Sequence, residues 1–346
     1  MFKFKKFTAF IALIIVSSLL FSGCMKDEIK PISKDGLFLG TICKITVYDK
    51  VSPSVLDKAY ARVNEIQNEM SINKASTEIT NINSSSGKNY VKVSSDVFEV
   101  INRSLYYSSI SEGKFDISIG CIDKLWNIGT DKARIPSQNE ITSKLPLVNY
   151  KNILINKKDS SVMLKNKGML IDLGAIAKGY AGDEVKKVLK KNGVSHAVIN
   201  LGGNIVTMGN KPDGDQWKIG VKDPFMPDAN PWATISISDK SIVTSGIYER
   251  FFEKNGKRYH HILNPKTGYP IDNSLVSVSI ICDKSINADG LSTTIFSMGL
   301  DKGLKLIESI KDTEAIFVTK NHDVYISSGL KNNFKITNSK FNLKIH

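Results

Sequence analysis

Three stretches of the 346-residue chain concentrate residue types that do chemistry. The first, Ile171-Asp172-Leu173-Gly174-Ala175-Ile176-Ala177-Lys178-Gly179-Tyr180, leads an acid, a glycine and small residues into the start of a helix. A helix start exposes unpaired amides and a partial positive charge, the setting in which a phosphate binds. Lys178 puts a formal charge in the first turn, where the helix dipole disfavours it, and a nearby anion would account for that. A plain helix start capped through Asp172 accounts for the same residues without a ligand, and both readings stand. In the second, Asn287-Ala288-Asp289-Gly290-Leu291-Ser292-Thr293-Thr294, helical spacing puts Asp289 and Thr293 on one face. A carboxylate, a hydroxyl and waters make a hard oxygen site of the kind that holds Mg2+. A capping Asp289 and a solvated Thr293 is the alternative. In the third, His260-His261-Ile262-Leu263-Asn264-Pro265-Lys266-Thr267-Gly268, a histidine ends an extended run at a turn. It is either a proton acceptor near neutral pH or a structural side chain. Adjacent histidines on a strand point to opposite faces, which argues against zinc.

Two smaller clusters follow. Asn200-Leu201-Gly202-Gly203-Asn204 comes after a strand and would let backbone approach a ligand closely. The run Val243-Thr244-Ser245-Gly246-Ile247-Tyr248-Glu249-Arg250-Phe251-Phe252 joins a small-residue turn to an aromatic strand whose rings read as core.

The elements that must position these residues are legible in part. Apolar residues at Val55, Ala59, Val63, Ile66 and Met70 predict a helix over 54–70. Ser94 or Ser95 caps a second, with Val97, Val100, Ile101 and Leu105 inward. Helices are also expected over 178–191, stopped by Gly193, and over 287–298, followed by Gly299. Strands are expected over 41–48, 197–200 and 275–282, a tight turn at Asn255-Gly256, and a last hairpin over 314–327 turning at Asn321-His322. Strands and helices mix without regular βαβ alternation, which predicts an α+β fold: a mixed sheet packed with helices in a single compact domain over 36–346.

The amino terminus reads as an export signal. Lys3, Lys5 and Lys6 precede a 15-residue apolar run, too short to span a membrane comfortably. Leu20-Phe21-Ser22-Gly23-Cys24 then resembles a bacterial lipobox, with Phe21 where leucine is usual. The expectation is a signal peptide over 1–23, a lipid on Cys24 and a polar tether over 24–35, anchoring the chain to the cell membrane on its extracytoplasmic face. The remaining Cys43, Cys121 and Cys282 are too widely spaced for a CxxC motif and read as buried free thiols. The net charge of +13 is mostly lysine spread along the chain. It forms no dense basic block with interleaved aromatics, which excludes a nucleic-acid groove.

Together and in this order, the segments resemble the ApbE-type family of FAD:protein FMN transferases. The matching stretches are Leu39-Gly40-Thr41, Phe115-Asp116-Ile117-Ser118-Ile119-Gly120, and residues 172–180, 200–204, 244–252, 261–268 and 287–293. The resemblance implies a T-fold-like α+β body with FAD as substrate in a cleft. It implies flavin-nucleotide contacts from Asp172 and Lys178, and an FAD site lined by Leu39, Phe115, Asp116 and Leu263. Ser245 and Gly246, within the 244–252 match, join these as flavin-contact candidates. It further implies Mg2+ held by the Ala175 carbonyl and the side chains of Asp289 and Thr293. Many members carry an aromatic residue against the flavin ring where this chain has Asn73. Loss of that stack, on the order of 1–3 kcal/mol by analogy with base stacking, favours turnover of FAD over its storage.

The expected reaction moves FMN from FAD to a threonine or serine hydroxyl of an acceptor protein, an extracytoplasmic redox subunit, with release of AMP. Lys178 would steady negative charge, Asp289 would hold the metal, and His261 is the candidate base for the acceptor hydroxyl. Three rivals remain: an FAD pyrophosphatase using water at the same site, a flavin-binding lipoprotein without turnover, and a solute-binding lipoprotein without chemistry.

Overall fold

The structure, a computed structural model, describes residues 30–344; the expected signal peptide and Cys24 lie outside them. In chain order the elements begin with β1 (Ile32–Phe38), β2 (Thr41–Val47), α1 (Ser54–Met70), α2 (Glu78–Ser84), β3 (Val91–Lys92), α3 (Ser95–Ile110), α4 (Gly120–Trp126) and α5 (Gln138–Lys144). Then come β4 (Ile153–Asn156), β5 (Ser161–Leu164), α6 (Ala177–Lys191), β6 (Ala197–Leu201), β7 (Asn204–Met208), β8 (Trp217–Val221), β9 (Ala233–Ile237), β10 (Ser241–Gly246), β11 (Phe251–Lys254) and β12 (Lys257–His260). The chain finishes with β13 (Leu275–Cys282), α7 (Ser285–Met298), α8 (Leu300–Glu308), β14 (Glu314–Thr319), β15 (Asp323–Ile326), β16 (Phe334–Ile336) and β17 (Asn342–Leu343).

A nine-stranded sheet in the order β1-β2-β6-β7-β10-β13-β14-β15-β17 is the spine. Its neighbours pair antiparallel except β15 with β17. Helices cover one face: α6 packs on α1, α7 lies between α6 and the strands β10 and β13, and α8 packs on β14. The three-stranded sheet β16-β9-β8 covers part of the other face through Trp217, Trp232 and Ile235. The central strand β13 is therefore buried on both sides, as its unbroken apolar and small sequence requires. Val278, Ile280 and Cys282 face the helices, while Ile281 faces the small sheet. Val276 also faces the small sheet, although it shares parity with Val278; a register shift between Leu275 and Ser277 breaks the alternation there.

Several expectations coincide with the elements. The 54–70 helix is α1, and Val55, Ala59, Val63, Ile66 and Met70 are all buried. Ser94 caps α3 by accepting the Val97 amide. The Asn255-Gly256 turn has both residues at positive φ, as a two-residue hairpin loop requires. The three cysteines are buried and free. One boundary moves: Ile32–Phe38, partly assigned to the tether, pairs along its whole length with β2. The α+β class stands. Among the described residues no helix is long and apolar enough to cross a membrane.

Candidate functional site

A cleft of about 780 Å3 opens where the start of α6, the inner face of α7, the end of β10 and the 261–265 loop meet. Its wall brings together Asn73, Phe115, Asp116, Asp172, Ala175, Lys178, Ser245, Gly246, His261, Leu263, Asp289 and Thr293. Leu39 is not in that wall; it is part-buried at positive φ with its amide on Gln67, and its neighbours Gly40 and Thr41 line the cleft instead.

The centre is built from two helices in contact at a glycine. Gly179 is the third residue of α6, so its amide is one of the unpaired donors of the helix start. It donates to Asp289 Oδ2 at 2.7 Å. No donor among the described residues reaches the Ala175 carbonyl. The carboxylate of Asp289, 3% exposed, is oriented by α6 while its other oxygen lies 3.9 Å from Lys178 Nζ. Lys178 also stands 3.5 Å from the Gly174 carbonyl. A side chain at Gly179 is excluded, since its Cβ would lie 2.3 Å from the Ser285 carbonyl oxygen and 2.6 Å from Asp289 Cβ.

The hydroxyl side of the site comes from α7 and β10. Thr293 Oγ1 is 3.1 Å from Ser245 Oγ, which is 2.8 Å from Ser292 Oγ. Asp289 and Thr293 thus share a helix face, as their spacing required, and that face meets the end of β10.

Asp172 does cap a turn, accepting the Gly174 amide at 2.7 Å. The α6 cap position, Ile176, carries no side-chain cap. Burial raises the Asp172 carboxyl, opposed by that amide and by Lys124, Arg250 and Lys178. Asp116 is held at both oxygens: Oδ1 accepts from the Ser118 amide and hydroxyl, and Oδ2 from the Tyr150 amide. His261 Nδ1 lies 3.2 Å from the Arg250 carbonyl. A carbonyl only accepts, so Nδ1 carries the proton and Nε2 is the free base. Burial, then the Arg250 charge, push the imidazole down to about 3, so it is neutral at physiological pH. His260 instead faces the interior, with Nε2 2.9 Å from the Ile271 carbonyl.

Several wall residues carried no motif of their own: Asp123, Lys124, Lys222 and, inside a matched segment, Arg250. Lys124 Nζ bonds Asn73 Oδ1 at 2.7 Å and so fixes the loop in which the aromatic residue is absent. Burial, then repulsion from Asp172, raise the Asp123 carboxyl well above its usual range. Lys114, Lys124, Lys178, Lys222 and Arg250 are matched in number by Asp116, Asp123, Asp172, Glu249 and Asp289.

A model of the ApbE family matches residues 39–317. The chain belongs to the ApbE family. Within it, a FAD:protein FMN transferase of Klebsiella pneumoniae is 36% identical over 296 residues, covering 86% of this chain and 92% of that one. Another of that name from Treponema pallidum is 31% identical over 337 residues, covering 92% and 93%. The crystal structure of the ApbE protein from Thermotoga maritima superposes with a TM-score of 0.81 at 30% identity, over 88% of this chain and 99% of that one. The family match begins at Leu39 and so excludes β1.

The donor set fits a hard divalent ion. An unengaged carbonyl at Ala175, a pre-oriented carboxylate at Asp289 and a hydroxyl at Thr293 are all oxygen ligands, and Mg2+ takes one or two carboxylates plus substrate phosphates.

Proposed function

We propose that this chain is an FAD:protein FMN transferase that requires Mg2+, modifies a threonine or serine hydroxyl of an extracytoplasmic redox protein, and releases AMP. The observation that carries the reading is the Gly179 amide at the start of α6, which holds the Asp289 carboxylate in the same cleft as Thr293, Lys178 and the unengaged Ala175 carbonyl. Family membership supports the transferase activity itself.

The acceptor oxygen would attack the FMN-side phosphorus, forming a phosphoester as the bond to the bridging oxygen breaks and AMP leaves with that electron pair. His261 Nε2 would take the hydroxyl proton. Lys178 would hold a fixed positive charge beside the diphosphate. Bound by Ala175, Asp289 and Thr293, Mg2+ would polarise the phosphoryl oxygens and offset their charge. Asp172, Phe115 and Leu263 would contact the flavin nucleotide. The lipobox-like sequence at Cys24 supports a membrane-anchored, extracytoplasmic protein.

The test is incubation with FAD, Mg2+ and a redox subunit bearing an exposed threonine, read by intact mass. The expected result is acceptor mass raised by one FMN with equimolar AMP, and transfer cut at least about a hundredfold by Asp289→Ala. Free FMN with an unmodified acceptor would make the protein a pyrophosphatase. Undiminished transfer by Asp289→Ala would remove the metal assignment.

A further inference from the structure

The three hydroxyls beside Asp289 form a hydrogen-bonded chain whose direction is fixed by counting protons. Ser292 Oγ donates to the Asp289 backbone carbonyl at 2.8 Å, and a carbonyl has no proton to return. Each hydroxyl has one proton and two lone pairs. With the Ser292 proton committed, the 2.8 Å contact between Ser292 and Ser245 requires Ser245 to donate. With that proton committed as well, the 3.1 Å contact between Ser245 and Thr293 requires Thr293 to donate. The protons run from Thr293 to Ser245 to Ser292 to Asp289. Three of these residues lie on α7, and Ser245, on β10, is the only one outside it. Ser292 is fully buried, whereas Ser245 and Thr293 line the cleft.

We propose that Ser245 is a positioning residue for the cation: by taking the Thr293 proton it leaves both Thr293 lone pairs free and makes that oxygen a pure acceptor. The inference rests on the metal assignment made above and adds a residue that contacts no metal itself. Without Ser245, the Thr293 proton would lose its acceptor and be free to rotate toward an incoming cation. A lost partner of this kind lowers metal affinity by about 10- to 100-fold.

The experiment uses Mn2+ alone as probe, its binding to the purified full chain read from the free-ion EPR signal, beside the wild type and Asp289→Asn. Ser245→Ala is expected to weaken Mn2+ binding by at least about tenfold. Ser245→Thr, which keeps the hydroxyl and can direct its methyl into the cleft, is expected to stay within about threefold of wild type. Ser245→Ala combined with Thr293→Val should bind no more weakly than Thr293→Val alone, because the first residue acts through the second. Ser292→Ala, which returns a proton to Ser245, gives a second route to the same weakening and stands in for Ser245→Ala should that variant not fold. Wild-type affinity in Ser245→Ala or in Ser292→Ala, equal weakening by Ser245→Thr, or additive effects in the double variant would overturn the proposal. Binding untouched by Asp289→Asn would instead overturn the metal assignment on which it rests.

Discussion

His261 is the residue whose chemistry depends most on its surroundings. With Nδ1 committed to the Arg250 carbonyl and the ring kept neutral by burial and the Arg250 charge, Nε2 is available as a base well below the ordinary histidine range. A depressed value moves the protonation limb to lower pH. If His261 takes the acceptor proton, kcat/KM, which reports the free enzyme, should therefore not fall between pH 7 and 5 on its account. His261→Gln should lower kcat by about a hundredfold or more. A limb near 6.5 in the wild type that disappears in His261→Gln would contradict the neutral, held imidazole, and a full rate in that variant would end its role as base. At this scale the sequence pointed to segments that do meet in one cleft, because residues within one turn or one helix are spaced by local geometry. It passed over Lys124 and Arg250, whose proximity to Asp172 exists only after distant segments pack. It offered Ser245 as a flavin contact, and the geometry adds a bond from that residue to the Thr293 hydroxyl.

At the scale of elements, the contact between α6 and α7 at Gly179 sets the site. Gly179→Ala would drive a methyl into the Ser285 carbonyl and Asp289 Cβ, and neither backbone can yield without moving a helix. The expected cost is about 2–4 kcal/mol, seen as a clear drop in denaturation midpoint together with weaker cation binding. Gly193→Ala, beyond the end of α6, is the control: nothing lies within 4 Å of its added carbon, so only the strain of φ +81 is felt, about 1 kcal/mol. Equal midpoints for the two variants would refute the packing argument. The long periodic elements, α1, α6, α7 and β13, were legible to within two residues because burial imposes period or unbroken apolarity on them. The seven-residue helices α2, α4 and α5 are too short to display a period. β1 was missed because its sequence, ISKDGLF, is mostly exposed and owes its strand form to pairing with β2.

For the whole molecule, stability carries a pH dependence that the cleft does not explain. Glu69 on α1 is raised to about 7 by burial and by the carboxylates of Asp96 and Glu78, and its Oε2 is buried without a partner. A carboxyl whose folded value exceeds its unfolded value binds more protons when folded, so its contribution is fullest at low pH and declines as pH rises from about 4.5 through 7. Glu69→Gln should flatten the fall in denaturation midpoint between pH 5 and 8 and raise stability at pH 8 by on the order of 1 kcal/mol. A midpoint slope identical to wild type would show that Glu69 is not the titrating group. The α+β class followed from the irregular order of strands and helices. The small sheet packed behind the spine did not, because which face of a strand meets which layer is decided by pairing between segments far apart in sequence.

The position of β1 has a mechanical consequence. If the protein hangs from a lipid at its amino end, any tension enters at Ile32, the outermost pair of the sheet's edge ladder, opposite Val47. Load applied there peels an antiparallel ladder rung by rung, starting at that pair. Phe38 opposite Thr41, the rung beside the cleft, would be the last to give way, so the terminal hairpin acts as a strain relief between the anchor and the chemistry.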